Sequence, residues 1–277
     1  MIRFEALAAA ILMAMATAGT AFASDLPPEI TVPEVSVKDA QGFYGRVDLG
    51  YAVQSSLHGT RLRSYNAASG DYARDSFDST RFGGNDFSGG VGVGYQFSDL
   101  FRADVTGDLF RGDFKGQFSS QTPCTGGASG TGCSGKSAAF FSAGSLLANA
   151  YVDLGTIAGF TPYLGAGVGA TRVNWRDVRT TSSCVDGAIA CGSSGASSAR
   201  NSGQDDWRFT YALMAGVAYQ LAPNVKLDLG YRYSHVAGGD MFGYSAADTA
   251  AGANGTMGRD GALARQEIRV GLRVTGW

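Results

Sequence analysis

The sequence predicts an all-β fold, an antiparallel barrel of about eight strands closed on itself within a membrane. Three observations carry that reading: an export leader at the start, eight segments of period two behind it, and connections that alternate between short and long.

The leader comes first. Arg3 gives a short positive region, residues 6–15 form an apolar run, and small residues follow as far as Ala21-Phe22-Ala23. That order is the pattern of a secretory signal peptide cleaved after Ala23, and its apolar run is too short to span a bilayer as a helix. Residues 1–23 are read as signal peptide, 24–41 as a Pro-containing periplasmic linker and 42–277 as the barrel. No later stretch reaches the ~18 consecutive apolar residues of a helical span. A mature chain that enters a membrane must then do so as a closed barrel, which satisfies every backbone N–H and C=O in lipid.

Composition agrees. Glycine accounts for 41 of 277 residues and charged residues for 17%, against typical shares of about 7% and about 25%. A net charge of −2 argues against nucleic acid as a partner. Pro27, Pro28 and Pro33 lie just past the leader, and Pro123, Pro162 and Pro223 fall in loops or at a strand start. None interrupts an alternating segment, where it would remove a ladder hydrogen bond.

The segments follow in order, each with one apolar face. Residues 42–57 set Phe43, Val47, Leu49, Tyr51 and Val53 against Tyr44, Arg46, Asp48 and Gly50. Residues 87–97 set Phe87, Val91, Val93, Tyr95 and Phe97 against Gly90, Gly92 and Gly94. The third has Phe101, Ala103, Val105 and Leu109 opposite Arg102, Asp104, Thr106 and Asp108. The fourth has Leu146, Ala148, Ala150, Val152 and Leu154 opposite Asn149, Tyr151 and Asp153. The fifth starts at Pro162, with Leu164, Ala166, Val168 and Ala170 opposite Tyr163, Gly165, Gly167 and Gly169. The sixth sets Trp207, Phe209, Tyr211, Leu213, Val217 and Tyr219 against Arg208, Thr210, Gly216 and Gln220. The seventh sets Val225, Leu227, Leu229, Tyr231 and Tyr233 against Lys226, Asp228, Gly230 and Arg232. The last has Ile268, Val270, Leu272 and Val274 opposite Glu267, Arg269, Gly271 and Arg273.

Short links at 98–99, 155–161 and 222–224 alternate with long ones near 58–86, 114–137, 176–206 and 236–262. Short turns on one rim and long loops on the other are the layout of a barrel with periplasmic turns and extracellular loops. Small residues crowd the polar face, making room there for long Arg and Tyr side chains, and aromatic residues gather toward the ends of the apolar face. Both features place the apolar face in lipid and the polar face in the lumen. The lumen then holds Arg46, Arg102, Arg208, Lys226, Arg232, Arg269 and Arg273 with Asp48, Asp104, Asp108, Asp153, Asp228 and Glu267. Eight strands enclose an interior that side chains just fill, so these charges read as a cross-linked polar core rather than the wall of a wide channel.

At this point the chain resembles the eight-stranded outer-membrane β-barrel family of opacity-type surface antigens and "porin family" proteins of alphaproteobacteria. The residues that carry the resemblance are Gly42-Phe43-Tyr44-Gly45, Thr161-Pro162-Tyr163-Leu164-Gly165-Ala166-Gly167-Val168-Gly169, Leu229-Gly230-Tyr231-Arg232-Tyr233 and Val270-Gly271-Leu272-Arg273, in that order along nearly the whole mature chain. The resemblance implies location in the outer membrane of a Gram-negative cell, contact with its lipid and lipopolysaccharide, and delivery by periplasmic chaperones and the barrel-assembly machinery. It also makes the C-terminal aromatic, Trp277, an assembly signal. Trp277 is out of phase with Ile268, Val270, Leu272 and Val274, and a bulge at Gly276 would restore the phase.

Three motifs are weighed for chemistry. Gly130-Thr131-Gly132-Cys133-Ser134-Gly135-Lys136-Ser137 matches the phosphate-loop pattern at every position. That pattern needs a strand before it and a helix after it, and here alternating strand residues follow. The four cysteines form two local pairs, Cys124 with Cys133 and Cys184 with Cys191, whose spacing does not match zinc sites and which an oxidising compartment closes as two small disulfide rings. The two histidines, His58 and His235, sit at strand ends. Outer-membrane lipid A deacylases carry Ser two residues beyond their His, and Ala237 stands there instead.

No cofactor or metal is expected, and no enzymatic activity. The leading reading is a structural and surface-interaction scaffold whose long loops meet an extracellular partner. A narrow pore for small solutes, or a loop receptor for a ligand such as haem through Tyr233, His235 and Tyr244, are the alternatives.

Overall fold

The computed structural model describes residues 41–66, 70–83, 86–121, 123–124, 127–192 and 196–275. The segment expected to be a signal peptide, nearly all of the expected 24–41 linker, and Gly276 and Trp277, with the expected bulge and assembly signal, lie outside the described residues.

Fifteen strands form in chain order: β1 Gly42–His58, β2 Arg61–Asn66, β3 Asp71–Ser76, β4 Ser79–Gly83, β5 Phe87–Gln96, β6 Phe101–Ser120, β7 Gly132–Asp153, β8 Phe160–Trp175, β9 Val178–Val185, β10 Ser197–Asn201, β11 Asp205–Ala222, β12 Val225–Ala237, β13 Asp240–Gly243, β14 Thr256–Arg259 and β15 Ala262–Thr275. Among the described residues one short helix, α1 Ala246–Ala250, precedes β14. Eight of the strands close a ring, β1-β5-β6-β7-β8-β11-β12-β15 and back to β1, every pair antiparallel. Closure leaves the ring no free edge, the condition for carrying strands through lipid.

Facing follows the period of two. Phe43, Leu109 and Val93 project outward and are 74%, 72% and 68% exposed, whereas Asp48, Asp104 and Asp108 on the other face are buried. Two aromatic belts frame the apolar band. Near the short turns Phe43 meets Tyr95, Tyr95 meets Phe97, and Phe160 meets Tyr219 with ring centroids 4.6–5.0 Å apart. Toward the other rim stand Tyr51 against Phe87 and Tyr211 against Tyr233 and His235. Amphipathic rings at both boundaries of the apolar band mark the levels of the two interfaces.

Glycine in the lumen is a matter of room. A Cβ at Gly230 would lie 2.5 Å from the Tyr163 hydroxyl, and one at Gly216 2.6 Å from it. The two positions leave the space that the Tyr163 side chain fills.

The structure departs from the sequence expectation at the outer rim. The long connection expected near 114–137 is largely strand instead: β6 runs on to Ser120 and β7 starts at Gly132, paired from Phe101 opposite Val152 to Ser120 opposite Cys133. Phase is kept while polarity inverts. Along β6 the inward positions change from Arg102, Asp104 and Asp108 to Phe110 and Phe114, and the outward ones from Val105 and Leu109 to Arg111 and Lys115. Above the bilayer the outside of the sheet meets water, so apolar side chains turn inward as they do in a soluble barrel. The long connections are ordered into strands as well. β4 pairs with the free edge of outer β6, β9 with outer β7, and β10 with β9. β13, β14, β2 and β3 make a separate four-stranded sheet. In β1 a bulge between Ala52 and Gln54 shifts the register against β15, after which Leu57 faces inward.

Candidate functional site

The interior is built in two layers. The lower layer, level with the membrane, is the charge network. Arg46 bonds Asp48 at 2.7 Å and Asp104 at 3.0 Å. Asp104 also accepts from the Tyr44 hydroxyl at 3.0 Å and from the Asn149 amide at 2.7 Å. Asp108 stands between two cations, Arg232 at 2.8 Å and Arg269 at 2.5 Å. Glu267 takes Arg265 at 2.8 Å and the Ser88 hydroxyl at 2.7 Å. Arg102 bonds Asp153 at 3.1 Å, and Arg273 bonds Asp228 at 3.3 Å. Unpaired, any of these charges would face a large desolvation cost; mutual pairing with hydrogen-bonding neighbours is what makes their burial tolerable.

Arg102 shows how the lumen is filled. Its Nη1 and Nη2 lack a hydrogen-bond partner among the described residues, but its guanidinium lies over the rings of Tyr151 and Tyr163, 3.9 and 4.8 Å from their centroids. Stacking on aromatic faces is a favourable seat for a guanidinium whose edge is not fully bonded. The cavity lined by Arg46, Asp48, Tyr151, Tyr163, Arg232 and Arg269 measures about 20 Å³, space on the scale of a single water.

The upper layer is an apolar plug. Phe110 and Phe114 from β6, Phe141 from β7, Val173 and Trp175 from β8, and Phe242 from β13 are buried together with Leu57, Val178, Val236, Met241 and Leu263. Trp175 is the hub, with Phe141 at 5.0 Å, Phe242 at 5.5 Å and Phe114 at 6.0 Å between ring centroids. Arg265 marks the boundary of the layers, bonded to Glu267 below and lying 4.8 Å from the centroid of Phe110. The plug was not read from the sequence. Its signal was present as aromatic residues in phase with the lumenal charges, Phe110 with Asp108 and Phe141 with Asp153.

Of the residues assigned to the lumen, Arg46, Asp48, Arg102, Asp104, Asp108, Asp153, Asp228, Arg232, Glu267, Arg269 and Arg273 lie in the ion pairs just described, and Lys226 is buried at the start of β12. Arg208 stands apart, six residues further out along β11 than Met214, which pairs with Arg232. It bonds Asp206 and Asp260, both at 2.7 Å, and the Asp240 carbonyl at 2.7 Å, tying β11 to the outer strands. Burial pushes the Asp260 carboxyl above the ordinary carboxylate range, and the neighbouring Arg208 opposes that rise. Arg265 is a lumenal cation that the sequence reading did not include.

Cys124 is bonded to Cys133 and Cys184 to Cys191. Cys133 and Cys184 face each other across the β7–β9 ladder, so the two rings sit side by side in one sheet. The phosphate-loop match falls on this same ladder: Gly132 to Ser137 are strand, paired on both sides from Cys133 on, with Lys136 pointing outward. His235 is stacked on Tyr211 at 5.0 Å, directly across the β11–β12 ladder. Tyr244 stands near Tyr65 and Tyr72 in the outer sheet, while Tyr233 shares the face of His235, so the three residues weighed for haem are not assembled into one cluster. Among the described residues no three His, Cys, Asp or Glu side chains group as a metal site.

Comparison with known proteins agrees with this architecture. The outer membrane protein β-barrel domain family matches residues 6–256. An uncharacterized protein of Brucella suis biovar 1 (strain 1330) is 36% identical over 249 residues, covering 84% of each chain. A Rickettsia bellii protein named as a candidate adhesin is 30% identical over 149 residues, 53% of this chain and 58% of its own. Among solved structures, Neisserial surface protein A aligns with 85% of this chain and 97% of its own at 20% identity, with a TM-score of 0.43. With its family match spanning most of the sequence and its eight strands closed in a ring, the chain belongs to the outer membrane protein β-barrel family, whose place is the outer membrane of Gram-negative bacteria.

Proposed function

We propose that the protein is a non-conducting, non-enzymatic scaffold that fixes an ordered extracellular sheet at the cell surface for contact with a partner outside the cell. The observation that carries this reading is the filled interior, charges cross-linked below and aromatic rings packed above, with a cavity of about 20 Å³ beside Arg46, Asp48 and Arg232. A barrel filled in this way supports what stands on it more readily than it passes solutes. The similarity to a candidate adhesin of Rickettsia bellii points the same way. In this reading the barrel lies among lipid and lipopolysaccharide, reaches the membrane through periplasmic chaperones and the barrel-assembly machinery, and meets its outside partner through β2, β3, β13 and β14.

Replacing residues 61–76 with a short Gly-Ser link tests it. The variant should still reach the surface as a folded barrel, seen as a heat-dependent shift in gel mobility, while attachment of expressing cells to host-cell or matrix surfaces falls to the level of cells without the protein. Attachment that is unchanged by the replacement, or never conferred by the intact protein, would contradict the reading.

A further inference from the structure

The outer sheet carries an arrangement that costs stability as it stands. Arg61 of β2 lies directly opposite Arg259 of β14, and Arg63 of β2 directly opposite Arg74 of β3. Residues directly opposite in an antiparallel ladder share a face about 5 Å apart, and like charges in that position repel. Positions 61 and 63 are also two apart on one strand, so all four arginines share one face. They line a groove of about 770 Å³ at the extracellular mouth, together with Ser76, Met257 and Gly238. That volume falls within the range of ~300–1,000 Å³ usual for small-molecule sites.

Local acids neutralise the face only at Arg259. Asp240 and Asp260 also line the groove, but Asp240 is taken by Arg259 at 2.7 Å and Asp260 by Arg208. Arg63 rests over the Tyr72 ring, 3.6 Å from its centroid. Arg61 and Arg74 are exposed, and among the described residues neither they nor Arg63 forms a salt bridge. A row of directly opposed guanidinium groups fits one tetrahedral anion. Two such rows, about 7 Å apart along the strand, fit a ligand with two anionic groups on one rigid frame, such as a sugar ring bearing two phosphates or sulfates.

We infer that the groove walled by Arg61, Arg63, Arg74 and Arg259 binds a sugar bearing two or more phosphate or sulfate groups. This deepens the reading of the outer sheet as the working surface, on which it rests. Guanidinium groups pair with such oxygens through parallel N–H donors, and bound anions would relieve the repulsion between the opposed arginines. The ligand is reached from outside the cell, either from the phosphorylated sugars of neighbouring lipopolysaccharide or from sulfated glycans of an encountered surface.

The test is calorimetric titration of the full chain in detergent at low salt. The probes are a deacylated, doubly phosphorylated glucosamine disaccharide, a disulfated disaccharide, and an unsubstituted disaccharide. Saturable one-site binding of the first or second that weakens with added salt, with none of the third, is the expected result. The phosphate arm alone would identify the membrane's own sugars, the sulfate arm alone an external glycan, and both a site that reads charge spacing. The double variant Arg61→Ser/Arg74→Ser removes one arginine from each row and leaves Arg63 on Tyr72 and Arg259 on Asp240. Its affinity should fall about tenfold or more for each arginine lost, while its ligand-free melting temperature holds or rises because the repulsion is gone. Arg111→Ser, an exposed arginine on the outside of β6, should bind as the intact protein does. Failure of both charged probes, or binding that survives the double variant, would overturn the inference. If attachment still depends on residues 61–76 in that case, the scaffold reading stands and only the ligand class falls.

Discussion

Asp108→Ala should be the most damaging single change in the barrel, costing about 3–5 kcal/mol or more of stability. Asp108 holds Arg232 at 2.8 Å and Arg269 at 2.5 Å, and all three side chains are at least 90% shielded from solvent. Removing the carboxylate leaves two buried cations with one anion fewer between them. Glu267 already serves Arg265 at 2.8 Å and lies 3.7 Å from Arg232, and Asp48 lies 4.0 Å from Arg269 while engaged by Arg46. Neither can take over fully. Urea unfolding in detergent micelles, followed by gel mobility, measures the loss. A triple change, Asp108→Leu with Arg232→Met and Arg269→Met, should recover much of it, because replacing a whole buried ion group by apolar side chains removes the desolvation cost along with the attraction. A loss below about 1 kcal/mol for Asp108→Ala would show that the network is not what cross-links the lumen.

Phe114→Ala should cost about 3–5 kcal/mol, and its effect should appear in a different place. Phe114 is fully buried at the heart of the plug, against Trp175, Phe242 and Phe77. Truncation opens a cavity between strands that stand above the bilayer, so the outer strands should loosen while the membrane-level ladder holds. Limited proteolysis of intact cells should then cut the outer segment near 66–80 faster than in the parent protein. Lys115→Ala, the next residue but pointing outward into water, should change stability by no more than about 0.5 kcal/mol. Equal effects of the two substitutions would mean that outer β6 has no distinct inner face.

These two residues also show where the fold was legible in the sequence and where it was not. Asp108 sits in a segment whose outward neighbours, Val105 and Leu109, are apolar. The alternation therefore announced both strand and facing, and it did so for all eight ring strands at membrane level. Phe114 has the same phase, but its outward neighbours are Asp113 and Lys115. A reading that equates apolar with outward ends the strand there, and it discards the reversed alternation of residues 114–118 as loop. The solvent outside the sheet changes from lipid to water at that level, and only the combination of phase with solvent reveals a continuous strand. The same inversion hides Phe141, Val173 and Trp175. Arg208 was placed on the correct face, but its partners, Asp206, Asp240 and Asp260, lie on strands whose pairing no periodicity encodes. The opposed arginines were illegible for a similar reason, since Arg61, Arg63, Arg74 and Arg259 meet only through the register of β14, β2 and β3.

The central claim is that the interior is closed, and a current recording across a planar bilayer tests it most directly. Purified full-length protein, confirmed as folded by its gel mobility, should insert without producing discrete conductance steps at moderate voltage in concentrated salt. The cavity between Arg46, Asp48 and Arg269 has space on the scale of one water, and Phe114, Phe141 and Trp175 are packed together above the charge layer. Reproducible steps that scale with the number of inserted barrels would contradict the account and make the protein a narrow pore.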